Sequence, residues 1–263
     1  MSVGSIIGLM LIIKAMVVGD PVAIMVATAV LVWLVTYGFL IKIFEPESVV
    51  RIITNSLTVC LFYGYSGRII SLINRPDFAP ALLAWDRRLF GESPAVSLQA
   101  SASPLMNEIL SAGYLSYHVY LIWFLIHLLR LPVSSRITFA RPLFTAFSLG
   151  FTIYFLMPAA GIADSFPDLF HRPVEGFRIT ALTQSLVATM AAKYDSFPSM
   201  HVFVTGVMLC VDFVNFRVRF WSMLVPSILM VFSTILLRMH FTVDTIVSFI
   251  MLVPFVWHFV RRN

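Results

Sequence analysis

The sequence predicts an all-α integral membrane protein, with a six-helix transmembrane core and one or two further helices at its N-terminus. Three observations predict it. Of 263 residues, 59% are hydrophobic and 12% charged, with a mean hydropathy of +0.92, more apolar surface than a soluble core absorbs. The apolar residues gather into runs close to the roughly 20 that cross a bilayer. The connections between runs are either tight or long, and both long ones fall on the same side if the helices alternate.

The expected spans are 22–44, 49–73, 112–130, 138–158, 200–216, 220–238 and 241–260. Residues 3–19 are also apolar but short and carry Lys14. They lack a basic start and end in G-D-P without a small-residue cleavage pattern, so they are read as retained. Whether they span, lie at the interface or re-enter stays open. The division is an accessory N-terminal segment, 1–45, and a six-helix membrane domain, 46–263. The first long connection, 74–111, ends in a segment near 99–113 that could lie flat on the membrane. The second, 159–199, is rich in Pro, Gly and Asp. Trp85, Tyr114, Tyr117 and Tyr194 are expected as interfacial anchors, with stacking on a polyol ring as the other use of such a side chain.

The formal net charge of +5 is scattered between apolar runs, which argues for orientation in a membrane and against a nucleic-acid partner. The short-loop side carries nine basic residues (Lys42, Arg51, Arg130, Arg136, Arg141, Arg217, Arg219, Arg261, Arg262) against Glu45, Glu47 and Asp212, a balance of +6. The long-loop side balances at −1. The excess of Lys and Arg in short loops puts the C-terminus in the cytoplasm and the long loops outside or in a lumen. Cys60 and Cys210 lie within apolar segments and read as buried thiols rather than a disulfide or a zinc site.

Chemistry is suggested by two stretches, S-F-P-S-M-H (196–201) and R-M-H-F-T-V-D (238–244). From His201 one apolar run crosses to Arg217 and Arg219, and the next crosses back to His240. At about 1.5 Å per residue the two legs match, so the histidines return to one depth on one side. His240 and Asp244 are four apart and share a helical face, where the carboxylate can fix the imidazole tautomer. The fork of Arg238 suits a pair of phosphate oxygens, and Ser199 at a helix start offers a hydroxyl and backbone N–H groups to an anion. A nucleophile, an acid and an anion cradle thus gather at one point.

These stretches resemble the second and third motifs of the type 2 phosphatidic acid phosphatase (PAP2) superfamily, P-S-x-H and R-x-H-x(3)-D. The likeness covers roughly residues 49 to 260. It is nearest to the branch containing inositol phosphorylceramide synthases and related bacterial proteins, which share the F-P-S-x-H form, a run like Y-F-L-M-P-A-A-G (154–161) and one like A-W-D-R-R-L-F-G (84–91); H-F-T-V-D is also similar to sphingomyelin synthases. The resemblance implies that His240 attacks phosphorus, Asp244 orients it, and His201 protonates the leaving oxygen and later deprotonates the acceptor. Ser199 and Arg238 hold the non-bridging oxygens. It implies no metal and no cofactor, a lipid phosphate as donor, and water or a lipid or polyol hydroxyl as acceptor, with no reading of oligomeric state. The first family motif, K-x(6)-R-P, is incomplete: Arg172-Pro173 supplies its end, but Ser165 stands at the lysine position. Arg172, Arg178 and Lys193 are the candidates for the missing phosphate cation.

Rival readings are weaker. G-Y-S-G (64–67) is similar to an intramembrane serine protease motif, but neither His201 nor His240 has the small-residue neighbours that motif wants. A CDP-alcohol phosphotransferase needs a D-G dipeptide, which the chain lacks. A transporter or non-catalytic membrane protein stands as the non-enzyme alternative.

Overall fold

The computed structural model describes residues 14–19, 21–73, 75–190 and 192–259. Residues 3–13 of the N-terminal apolar stretch fall outside them. Among the described residues nine principal helices follow one another: α1 (Pro21–Ile43), α2 (Val49–Ile73), α3 (Ala79–Phe90), α4 (Pro104–Arg130), α5 (Val133–Leu156), α6 (Arg178–Met190), α7 (Met200–Asn215), α8 (Arg217–Leu236) and α9 (Thr242–Phe259). There is no strand among the described residues.

Among the described residues six helices, α1, α2, α4, α5, α8 and α9, are long and apolar enough to cross a membrane; α7, at 16 residues, is apolar but shorter. The chain is therefore an all-α, multi-pass membrane protein. α3, α6 and the long connections lie at the end of the bundle where α2 and α5 finish and where α4, α7 and α9 begin. α7 packs against α4, α5, α8 and α9, which makes it the central element. Its neighbours bury Tyr120, Phe124, Leu143 and Met230 around its own Phe203. α1 stands outside this core and packs on α2, tied by Trp33 Nε1 to Thr58 Oγ1 at 3.1 Å and the Tyr37 hydroxyl to Asn55 at 3.1 Å.

One boundary corrects the sequence reading. The segment near 99–113 does not lie flat: α4 starts at Pro104 and runs straight into the span. Ser103 caps it, its hydroxyl accepting from Met106 N at 3.2 Å, and proline suits the first helical position. The segment's polar residues hold α6: Asn107 is buried and Glu108 partly exposed. Glu108 accepts from the backbone N–H groups of Phe177, Ile179 and Thr180 and so caps α6, while Asn107 donates to the Glu175 carbonyl.

Two charges counted on the short-loop face are not surface charges. Arg219 and Asp212 are fully buried and form a bidentate pair, Nε–Oδ2 at 2.7 Å and Nη2–Oδ1 at 2.6 Å. The Tyr120 hydroxyl adds a 2.6 Å bond to Asp212, and the guanidinium lies 4.7 Å from the Phe124 ring centre. The pair joins α7 to α8 and α4; omitting it leaves the charge balance of that face unchanged. Removing one partner strands a charge in an apolar interior, which costs about 3–5 kcal/mol. Asp212→Leu or Arg219→Met should each lower the melting temperature in detergent by on the order of 10 °C. The double variant should recover part of that loss; equal loss in all three would show that packing, not the stranded charge, is responsible.

Candidate active site

The site forms where three chain segments meet at the long-loop end: the turn before α7, the turn before α9, and the M-P-A-A-G run after α5. The P-A-A-G stretch is the hinge of the arrangement. Ala159 O accepts from Ser196 N at 3.0 Å, tying it to the first turn, and Pro158 O accepts from Phe78 N at 2.7 Å. A Cβ on Gly161 would fall 2.8 Å from the Met239 carbonyl oxygen, so only glycine lets this run approach the second turn.

His240 is 97% buried, and its two nitrogens have separate partners. Nδ1 lies 2.8 Å from the Ser196 carbonyl oxygen, which can only accept, so Nδ1 carries the proton. Nε2 is then the nitrogen with the free electron pair, and it faces His201 Nδ1 at 3.4 Å. Asp244 Oδ2 stands behind, 3.5 Å from Nδ1. Its shorter bonds run to Ser196 Oγ at 2.6 Å and Phe241 N at 3.0 Å. The sequence places His240 and Asp244 on one helical face. In the structure His240 precedes α9 and Asp244 lies in its first turn, where its carboxylate reaches back to cap the helix.

His201 sits in the first turn of α7, where the ring is enclosed by Tyr114 at 4.9 Å and Tyr117 at 4.8 Å between centres. Both tyrosines are buried and line the site rather than anchoring the protein at the interface. Trp85 is half exposed against Phe78, 5.5 Å between ring centres.

Arg238 adopts φ 66°, the left-handed region that non-glycine residues avoid, and such strain gathers at functional sites. Three contacts hold it: its N–H donates to Ile235 O, Nη1 donates to the Arg172 carbonyl at 2.6 Å, and the guanidinium packs 4.6 Å from the Phe170 ring centre. Arg238 Nε and Ser199 Oγ are buried without a hydrogen bond among the described residues. Ser199 precedes α7, so the open N–H groups of that helix point to the same region.

The three candidates for a further cation are not equivalent. Arg172 is exposed, but its backbone holds Arg238, so it borders the site. Arg178 is exposed at the start of α6 and makes no ion pair or hydrogen bond with the site residues among those described. Lys193 lines a neighbouring cavity, with Nζ 5.3 Å from the Tyr194 ring centre. Ser66 of the G-Y-S-G stretch is buried and donates to the Tyr63 carbonyl in its own helix, a locally satisfied serine.

Three supporting residues go unassigned in the sequence reading. Ser196 joins Asp244 to the His240 turn. Asp195 precedes it, accepts from the Tyr63 hydroxyl at 2.7 Å, and its carboxyl is raised above the ordinary range by burial. Asp86 of A-W-D-R-R-L-F-G is fully buried and accepts from Val243 N at 2.8 Å, Thr242 N at 3.1 Å and Ser93 Oγ at 2.6 Å. It caps α9 one step beyond His240 and Phe241. Its signal is legible in the sequence: with Ala79, Leu82 and Leu83 it falls on the buried stripe of α3, where a lone aspartate needs a reason. Asp86→Ala leaves these donors without their acceptor and frees the His240 turn. We expect kcat to fall by on the order of 10² while KM moves little, and Asp86→Asn to fall less. A fall in stability with kcat unchanged in the folded fraction would restrict Asp86 to holding the fold.

Comparison with known families places this geometry. A family model described as the PAP2 superfamily matches residues 80–257, which include α3, Ser199, His201, Arg238, His240 and Asp244. No curated protein and no solved structure matches the chain. With the match extending over about two thirds of its length, the chain belongs to the PAP2 superfamily.

Proposed function

We propose that this phosphatase-type membrane protein transfers a phosphoryl or substituted phosphoryl group from a lipid to water or to a lipid or polyol hydroxyl, through a phosphohistidine on His240. The observation that carries the reading is the pair of facing imidazoles, with His240 Nε2 presented to His201 Nδ1 and held from behind through Nδ1. In the first half, the Nε2 electron pair forms a bond to phosphorus, the phosphorus–oxygen bond to the leaving alcohol breaks, and His201 gives that oxygen its proton. In the second half, His201 takes a proton from the acceptor, whose oxygen attacks phosphorus and releases neutral His240. Arg238, Ser199 and the first N–H groups of α7 hold the equatorial oxygens, supplying charge stabilisation from the protein itself. Arg172 is the best placed further cation, since its main chain is bonded to Arg238.

The short-loop face carries the basic excess, which supports an extracytoplasmic active site and a cytoplasmic C-terminus. Residues 1–45 are assigned as an accessory segment and 46–263 as the catalytic domain. The branch near inositol phosphorylceramide synthases is supported by the F-P-S-M-H, M-P-A-A-G and A-W-D-R-R-L-F-G runs, the last two of which build the site scaffold.

The test is a lipid mass-spectrometry assay on detergent-purified protein. It offers phosphatidic acid, a polyprenyl pyrophosphate and phosphatidylinositol as donors, with or without ceramide, diacylglycerol or inositol. Phosphate release whatever the acceptor assigns a phosphatase; product only with an added alcohol assigns a transferase. Vanadate, a mimic of pentacoordinate phosphorus, should inhibit and EDTA should not. Loss of activity with EDTA would overturn the metal-free reading.

A further inference from the structure

A second cavity, of about 880 Å³, lies beside the catalytic turn between the N-terminal segment, α2 and residues 192–193. Three cations line it, Lys14, Arg68 and Lys193, and no acidic side chain lines it among the described residues. Each comes from a different segment, so the convergence is tertiary. Its apolar lining is aliphatic, including Val18, Val22 and Leu72. Gly64 faces open space there, and a Cβ on Gly67 would stand 3.0 Å from Lys193 N, which fixes the close seat of the 192–193 turn on α2.

The lining points to a ligand class. Arg68 is five residues from the end of α2 on the catalytic face, about 7.5 Å at 1.5 Å per residue, so its long side chain can reach a headgroup phosphate. Cations around an aliphatic-walled hollow match a phosphate attached to hydrocarbon. We propose that this cavity is a binding site for the phosphate of an accessory anionic lipid, distinct from the catalytic histidines and built partly by the segment that precedes the family match. The Lys193–Tyr194–Asp195–Ser196 segment joins it to the catalytic turn, so occupancy there braces the backbone that holds His240.

The probe is a photoactivatable phosphatidic acid, cross-linked to the full chain in phosphatidylcholine nanodiscs and mapped by peptide mass spectrometry. Cross-links are expected on the 14–23 and 64–72 segments, competed by phosphatidic acid and not by added phosphatidylcholine. Each cation near an anionic headgroup is worth on the order of fivefold in affinity, so Lys14→Gln with Arg68→Gln should lower labelling of these segments by about tenfold or more. Lys14→Arg with Arg68→Lys should restore it, which separates charge from misfolding. Competition by millimolar inorganic phosphate as strong as by the lipid would assign the site to free phosphate. Equal competition by phosphatidylcholine, or unchanged labelling in the double glutamine protein, would overturn it. None of these readouts requires turnover, and all are taken on the full chain carrying His240→Ala, which cannot consume the probe, so they stand apart from the catalytic proposal.

Discussion

The His240→Ala protein is expected to show no phosphate release or transfer above background while remaining monodisperse in detergent. His240 Nε2 is the nitrogen left with a free electron pair by the Ser196 carbonyl. A serine takes no share of that role: Ser199 Oγ has no basic partner, and Ser196 Oγ is committed to Asp244. His201→Ala should also lose turnover, but by a different route. Its nucleophile is intact and only the proton for the leaving oxygen is gone. A donor with a good leaving group, such as a nitrophenyl phosphate ester, should still label His201→Ala slowly with an acid-labile, base-stable phosphate. The same donor should leave His240→Ala unlabelled. Label on His240→Ala, or full activity in either variant, would sink the two-histidine mechanism.

The contrast between what the sequence shows and what it hides follows from range. The helices are legible because lipid imposes one simple demand, an apolar run of about 20 residues, on each of them. The equal depth of His201 and His240 is legible because a hairpin of two such runs returns to its starting level. The structure brings His201, His240 and Asp244 together, while Arg238 and Ser199 stand next to them along the chain. The supporting contacts are not legible, because each joins residues that no period or motif connects. Asp86 caps a helix 156 residues further along the chain, and the Tyr63 hydroxyl bonds Asp195 across 132. The burial of Tyr114 and Tyr117 is hidden for a related reason. The start of α4 is tied to α6 through Glu108 and Asn107, contacts that no period connects, and they set the helix that carries both tyrosines. The Arg219–Asp212 pair misleads in the same way, since seven residues across a helix turn look like two loop charges until the helices are packed.

Asp244→Asn is expected to reduce kcat by on the order of 10²–10⁴, the range seen when the carboxylate behind an oriented histidine is neutralised. Two effects combine. As Nε2 bonds to phosphorus, the ring becomes cationic, and a negative charge 3.5 Å from Nδ1 favours that state over the neutral ring. The carboxylate also receives the Ser196 hydroxyl and the Phe241 N–H on one oxygen, Oδ2, and through them sets the turn that carries His240. Asparagine is close in shape, and its carbonyl oxygen at the Oδ2 position can accept both bonds, so the electrostatic loss should dominate and the protein should still fold. Ser196→Ala separates the two effects. It removes the hydroxyl link to Asp244 while keeping both the charge and the Ser196 carbonyl that sets the tautomer. A large loss in Asp244→Asn with a small one in Ser196→Ala would assign the rate to charge. Similar losses in both would assign it to the geometry of the turn, and a near-normal rate in Asp244→Asn would remove Asp244 from the mechanism.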